Sequence, residues 1–219
     1  MKPSIEIPLK TLEIIENQAI ENGNQALEGA SIVLRSWIFE NITDAYGNVP
    51  YFEATKGAEL NFTPSYDDQE AIYMDLLSEL ERADQLLASN SGSIEGDILL
   101  NGDISKWRKF GNSLRLRLLM HASNQLADVG SRFQSIVNEG NIISSNDDNV
   151  TLTYTGSFPN EYPLVPLKTG DFDAVAIADA SVNVMQGYDD PRLLRYARPN
   201  NEDFETDPTI IGAFNIPII

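Results

Sequence analysis

Residues 36–51, SWIFENITDAYGNVPY, decide the expected fold, because a helical apolar pattern ends there at a turn set by Gly47 and Pro50. Glycine can adopt the positive φ that ends a helix, and proline cannot continue one. The pattern extends back to residue 24, and Gly23 separates it from another helical run over residues 5–22. We expect the two helices to pack as a hairpin. The expected buried face of the second comprises Leu27, Ala30, Leu34, Trp37, Ile38 and Ala45.

A third helix is predicted after residue 66, where Asp67 and Glu70 form a variant of the capping box. Apolar residues then recur at i, i+1, i+4 and i+5, the spacing of one buried helix face. They are Ile72, Tyr73, Leu76, Leu77, Leu80, Ala83, Leu86 and Leu87. The acidic residues between them are expected to face solvent: Glu70, Asp75, Glu79, Glu81 and Asp84.

The rest of the chain contains further helices and one candidate strand. A fourth helix is predicted from about residue 103 to residue 125, and a fifth from residue 129 to a stop at Gly140. Alternation over residues 150–154 predicts a short strand, and a last helix is expected over residues 172–186.

Antiparallel helix pairs in series predict a mostly α fold of tetratricopeptide-like type, with long ordered loops and little strand. The length of 219 residues and the 42% hydrophobic content suit one domain. We expect a helical-repeat part over about residues 5–140 and a loop-rich part over about residues 141–219.

Composition excludes several classes of function. The net charge of −18 makes a nucleic-acid partner unexpected, because phosphate binding requires clustered Lys and Arg. Cysteine is absent, so the chain has no disulfide, thiolate nucleophile or Cys-based zinc site. No apolar run is long enough to span a bilayer, and we expect the chain itself to be soluble.

Catalytic motifs are also missing from the sequence. His121 is the only histidine, so a Ser-His relay or a pair of histidine ligands cannot form within the chain. We therefore expect no enzyme activity, cofactor or metal, and an all-helical glycosidase using two carboxylates remains the alternative. The oxygen-rich run Asn146, Asp147, Asp148 and Asn149 could bind Ca²⁺ or form a solvated turn.

Three segments carry a resemblance to a known family: residues 36–51, WRKFGNSLRLRLL at residues 107–119, and YDDPRLLRY at residues 188–196. Two further elements lie between these segments: the predicted helix YDDQEAIYMDLLSELERADQLL between the first and the second, and the run ISSNDDN between the second and the third. All five elements follow the order found in that family. These five elements resemble the SusD/RagB family. The resemblance implies a lipid-anchored outer-membrane protein of Bacteroidota that captures glycans or other nutrients for a SusC-like TonB-dependent transporter.

Two departures from the family pattern concern the ends of the chain. The lipidation signal is missing, and members of the family continue well beyond the apolar tail that stops at Ile219. We interpret the sequence as a partial chain. The motif residues are expected to be structural, since each has a sufficient role in a turn, cap or local ion pair. These are Tyr46, Gly47, Pro50, Tyr51, Trp107, Asn112, Arg117, Asp190, Pro191 and Arg192.

The loop over residues 154–162 is the predicted ligand site. Sugar rings present apolar faces edged by hydroxyls, so a binder needs flat aromatic groups beside amides and carboxylates. The loop supplies Tyr154, Phe158, Asn160, Glu161 and Tyr162. Its aromatic groups could instead pack the loop onto the helices. The predicted function is glycan or nutrient binding, and the alternative is a tetratricopeptide-like protein-interaction module without its own glycan site.

Overall fold

The computed structural model describes residues 6–89, 91–157, 177–196, 198–199 and 214–215. The chain forms two compact units, residues 1–153 and 154–219. The first contains α1 (Glu6–Glu21), α2 (Gln25–Tyr46), α3 (Gln69–Ala88), α4 (Ile104–His121) and α5 (Val129–Glu139), with short 3₁₀ turns at Lys56–Glu59 and Asn146–Asp148. In the second, the described elements are α6 (Asp179–Gly187), α7 (Leu193–Tyr196), β1 (Arg198–Pro199) and β2 (Phe214–Asn215). The expected single-domain organisation stays a prediction.

The first unit is a series of packed antiparallel helices, which confirms the predicted mostly α, tetratricopeptide-like fold. Helix α2 packs on α1 and α3, α3 packs on α4, and α4 packs on α5. The α1–α2 hairpin turns at Gly23, whose φ of +65° favours glycine. Asn24 then caps α2 by accepting a hydrogen bond from the backbone N–H of Leu27 at 3.1 Å.

The hydrophobic core of the first unit centres on α3, as the periodicity predicted. Seven of the eight apolar positions are buried, and Leu86 is partly buried. The buried face of α2 differs from the prediction, because Trp37 is 41% exposed. Helix α2 contacts α1, α3 and α4 and buries small residues such as Ala26, Gly29 and Ala30 where helices approach closely. Because the large apolar residues of α2 are not its most buried ones, the predicted face is rotated from the face that is buried.

The acidic residues of α3 do not all face solvent. Glu79 binds Arg35 and Arg82 through ion pairs, and Asp84 binds Arg108 at 3.0 Å. The predicted cap is also wrong, because Asp68 is the N-cap residue of α3. The Asp67 carboxylate instead accepts a hydrogen bond from the backbone N–H of Tyr51. Partners distant in sequence set these orientations, which the helix pattern alone cannot show.

Three other boundaries differ from the predictions. Helix α4 ends at His121 because the polar residues 123–125 form turns instead of a further helical turn. Residues 150–154 form no strand, since alternation gives a strand only where another chain segment pairs with it. Residues 177 and 178 are not helical, so α6 begins at Asp179 although its apolar composition continues upstream. Residues 172–176 lie outside the described part.

Candidate functional site

A long connection between α2 and α3, residues 47–68, forms a loop whose two ends are joined; we call it the α2–α3 loop. An antiparallel bridge pairs Val49 with Asp67, and the N–H of Asp67 donates to the Val49 carbonyl at 3.0 Å. The Asp67 carboxylate accepts hydrogen bonds from the backbone N–H groups of Tyr51 and Phe52, both at 2.9 Å. Hydrogen bonds therefore hold the two ends of the loop next to each other where it joins the helical array.

Gly47 and Tyr51 anchor the base of this loop. Gly47 has a φ of +73°, and its N–H donates to the carbonyl of Thr43 at 2.8 Å. The ring of Tyr51 packs edge-on against Phe39 with centroids 4.7 Å apart, and its hydroxyl donates to Asp75 at 2.7 Å. Burial, followed by the hydrogen bond to Asp75, raises the pKa of Tyr51. These contacts give Gly47 and Tyr51 structural roles at the base of the loop.

A cavity of about 540 Å³ lies where the α2–α3 loop faces α1 and α2. Its apolar lining consists of Leu9, Phe39, Ile42, Pro50, Ala54, Phe62 and Pro64. Its polar lining consists of Lys10, Glu53, Thr55, Lys56 and Asn61. Phe62 is 74% exposed, so one aromatic side chain of this lining is available for contact with a ligand. An apolar wall with a few polar groups around it is the usual composition of a small-ligand site.

The backbone of the α2–α3 loop is strained beside the cavity. Thr55 and Leu60 have φ values of 64° and 65°, a region that residues other than glycine seldom adopt. The Thr55 hydroxyl donates to Glu13 of α1, and Glu13 also accepts from the Lys10 ammonium at 2.8 Å. Such conformations persist where surrounding contacts enforce them, and they cluster at ligand clamps.

The charge of Glu53 follows from its hydrogen bonds within the loop. Its carboxylate accepts from the backbone N–H of Ser65 at 2.9 Å. That bond, followed by one from the Asn61 side chain, lowers the pKa of Glu53. The cavity therefore presents a fixed carboxylate, an amide and a lysine ammonium beside an exposed aromatic ring.

Most of the predicted ligand loop lies outside the described residues. Tyr154 is described as a half-exposed residue in an irregular segment. The other four predicted site residues, Phe158, Asn160, Glu161 and Tyr162, are not described. The α2–α3 loop was not predicted as a site. A signal was available, because exposed Phe52, Phe62 and Tyr66 are spaced along one long polar connection.

The acidic run considered for Ca²⁺ is paired with lysines. The Lys109 ammonium donates to Asp148 Oδ1 at 2.6 Å, and the Lys106 ammonium donates to the carbonyl of Asp147 at 2.6 Å. The Lys109 bond is the main cause of a pKa of about 2 for Asp148. The two lysines thus hold oxygens that a calcium ion would need, and the turn is stabilised without one.

One group with metal-type ligand atoms occurs within the described ranges, formed by Glu40, Asp44 and His121 with their atoms within 4.8 Å. Arg117 donates to both oxygens of buried Glu40, at 2.6 and 2.5 Å. Asp44 accepts from the Tyr73 hydroxyl and lies 3.0 Å from Nδ1 of His121. Hydrogen-bond donors already engage these carboxylates. Arg117 thus has the structural role that was expected of it.

Asn112 and the Asp190–Arg192 pair also have the expected local roles. Buried Asn112 donates to Asp84 Oδ1 at 2.7 Å, which joins α4 to α3. Asp190 accepts from the backbone N–H of Arg192 at 2.9 Å and from its guanidinium at 2.6 Å. These residues stabilise the array and a turn of the second unit.

Serial helix pairs with a closed loop over a lined cavity define a helical-repeat protein. The chain belongs to the SusD-like family described as starch-binding and associating with the outer membrane, whose sequence profile matches residues 6–215. No helix in the described part is long and apolar enough to cross a membrane. A comparison with curated protein sequences finds no significant match.

Solved structures of SusD-like proteins share this architecture. A protein of Bacteroides vulgatus, to which an outer-membrane location and nutrient binding have been ascribed, is 31% identical with a TM-score of 0.80 over 92% of this chain and 44% of its own. A SusD homologue of Bacteroides fragilis is 29% identical, with a TM-score of 0.77 over 91% and 43%. A chitin-binding protein is 29% identical, with a TM-score of 0.72 over 87% and 41%. The chain spans less than half the length of these relatives.

Proposed function

We propose that this chain belongs to a cell-surface protein that captures a glycan or related nutrient without transforming it. In this proposal the full-length protein is lipid-anchored in the outer membrane and passes its ligand to a SusC-like TonB-dependent transporter. Family membership and a similar chitin-binding structure support the ligand class. The cavity beneath the α2–α3 loop is the observation that carries the proposal.

The cavity suits a sugar because its groups match the two kinds of surface on a pyranose ring. The exposed ring of Phe62 can stack on the apolar CH face. Glu53 and Asn61 offer a carboxylate and an amide for the hydroxyl groups at the ring edge. The closed base of the loop holds these groups in place before binding, which reduces the entropy lost on association.

The loop over residues 154–162 is kept as the second candidate ligand surface. Its residues offer the same chemistry, with aromatic groups beside an amide and a carboxylate. The two surfaces make separate predictions, so variants can distinguish them.

The test is affinity electrophoresis and calorimetry of the chain with starch and chitin oligosaccharides. Phe62→Ala should weaken binding by about 1 to 3 kcal/mol, the range of hot-spot truncations. Tyr66→Ala is the matched control, because Tyr66 is an equally exposed aromatic residue of the same loop outside the cavity lining. Equal binding by the parent and Phe62→Ala would exclude this cavity as the site.

Phe158→Ala and Tyr162→Ala test the second surface in the same assay. A similar loss in these two variants, with Phe62→Ala unaffected, would move the site to residues 154–162. If the chain and the full-length protein bind no glycan, the alternative of a protein-interaction module is favoured.

Binding without chemistry is tested by incubating the protein with the same oligosaccharides. We expect no release of reducing ends. Turnover that survives repurification and disappears when one carboxylate is replaced would instead establish a glycosidase.

A further inference from the structure

A second, smaller cavity of about 190 Å³ opens among α3, α4 and α5, and no proposed function uses it. Buried Leu77, Leu119 and Ile136 form its apolar floor. Around them lie the side chains of Arg115 and Arg132, together with polar residues of α5. Two arginines beside one small cavity are unexpected in a chain with only 15 basic residues and a net charge of −18.

Arg115 has fewer hydrogen bonds than its burial requires. Its side chain is 12% exposed, and Nη1 donates to Asn112 at 3.0 Å. Nη2 lies 3.5 Å from Glu81, whose side chain is 57% exposed, so this pair is weak. Within the described part, Nε of Arg115 is the one buried side-chain nitrogen or oxygen without a partner. A guanidinium has five N–H donors, and leaving buried donors unpaired is unfavourable.

Three other arginines of the array, Arg82, Arg108 and Arg117, are well paired, in contrast to Arg115. Arg117 donates two bonds to Glu40, and Arg108 donates two bonds to Asp84. Arg82 binds Glu16, Glu28 and Glu79.

Arg132 supplies a second guanidinium to the same cavity. It is half-buried on α5, and its side chain makes no ion pair or hydrogen bond with any described residue. Ser135, one turn further along α5, adds a hydroxyl group to the lining. The cavity therefore combines the guanidinium groups of Arg115 and Arg132 with the Ser135 hydroxyl over an apolar floor, although Nε of Arg115 itself has almost no accessible surface.

We propose that this cavity binds the carboxylate group of a small organic acid. The planar forks of guanidinium groups suit the two oxygens of a carboxylate, and the apolar floor suits a short hydrocarbon body. Glu81 and Glu139 also line the cavity and repel an anion. Their charge disfavours doubly charged phosphate more than a singly charged carboxylate. The inference is independent of glycan capture in the larger cavity.

Titration of the chain with sodium propionate at constant ionic strength tests the inference, with propionamide as the uncharged isostere and phosphate as a second anion. The readout is the NMR signal of the Nε–H groups of Arg115 and Arg132. Propionate should shift both signals in a saturable manner, and propionamide should shift neither. Equal shifts with propionamide, stronger binding of phosphate, or no saturable shift would overturn the proposal.

Two variants should change the affinity for propionate in opposite directions. Arg132→Gln should weaken propionate binding about tenfold by removing a charge-assisted hydrogen bond. Glu139→Gln should strengthen propionate binding about two- to threefold, because it removes an exposed negative charge that repels the carboxylate. Arg192→Gln, which changes an exposed arginine of the second unit, is the control and should leave binding unchanged. Equal affinity of the parent and both cavity variants would also refute the site.

Discussion

Glu40 carries a carboxylate that is almost completely buried in the helical core, with only 1% of the residue exposed. Its ionised form is tolerated because Arg117 donates to both of its oxygens. The charge, paired in this way, joins α2 to α4. The hydrogen bond to Glu40 in turn raises the pKa of Arg117.

Arg117→Met should destabilise the protein by about 2 to 3 kcal/mol, because it leaves the buried charge of Glu40 without its partner. We place the effect below the range for fully buried pairs because the Arg117 side chain is 40% exposed and partly screened. The measurement is the free energy of unfolding in urea.

Arg192→Met is the matched control, since Arg192 also forms a close pair with an aspartate, at 2.6 Å, but is 68% exposed. Its urea midpoint should change little. Equal midpoints for both variants would show that burial of Glu40 is not the source of the effect.

The lowered pKa of Asp148 predicts that the protein loses stability in acid. Its folded pKa of about 2 lies below the ordinary value near 4, and the Lys109 hydrogen bond is the main cause. Its stabilising contribution is therefore complete above about pH 4 and is lost as pH falls toward about 2. Asp148→Asn should be less stable than the parent at neutral pH, and urea unfolding should show the difference narrowing in acid. A difference that stays constant with pH would mean that charge is not involved.

At the residue scale, the sequence predicted the structural roles of individual side chains but did not identify their hydrogen-bond partners. Asn112 and Arg117 were expected to bind carboxylates or carbonyls, which they do. Glu40 and Arg117 are 77 positions apart, and Asn112 and Asp84 are 28 apart. Helical periodicity relates only neighbours within a few turns, so it cannot identify such pairs.

At the element scale, Gly29 lies where α2 packs tightly against α3. A Cβ atom there would lie 2.8 Å from Cγ of Leu87 and 3.1 Å from the Ala83 carbonyl oxygen. Gly29→Ala should therefore destabilise the protein by about 1 to 3 kcal/mol, despite the better helix propensity of alanine. Thermal unfolding followed by circular dichroism measures the change.

Gly130 in α5 is the opposite case, because a Cβ atom there meets nothing within 4 Å. Gly130→Ala should raise the unfolding free energy by up to about 1 kcal/mol through helix propensity alone. A stabilised Gly29→Ala variant would contradict the close packing of α2 on α3.

The difference between α2 and α3 explains which elements were predictable. Helix α3 has one broad stripe of leucines, and its buried face was predicted almost residue by residue. Helix α2 buries small and polar residues such as Ser36, Glu40 and Thr43, which apolar periodicity does not select. The predicted stripe through Trp37 consequently described a half-exposed face.

At the scale of the whole molecule, residues 1–153 contain a connected core of their own, extending from Leu9 to Ile136. A chain truncated after Thr153 should keep the helical circular dichroism of this unit and unfold cooperatively in urea. Loss of cooperative unfolding would support the single domain that the sequence predicted.

The candidate site was harder to predict than the fold because its lining is not contiguous. The cavity combines Leu9 and Lys10 of α1, Phe39 of α2, and Phe62 of the α2–α3 loop. Aromatic and polar groups that are contiguous in one loop occur at residues 154–162, so the sequence pattern favoured that loop. Only the packing of α1 against α2 brings the separated segments to one cavity.

The bridge between Val49 and Asp67 has a consequence for how such a protein can diversify. The Asp67 carboxylate holds the first amides of the loop, and Asn48 donates to Asp68 at 2.9 Å. Both ends of the connection are thus secured independently of what lies between them. If the cavity binds a ligand as proposed, substitutions within residues 53–65 should alter ligand preference while the helices keep their register. Under that proposal, grafting the corresponding connection from a relative should change the specificity of the cavity without changing the helical array.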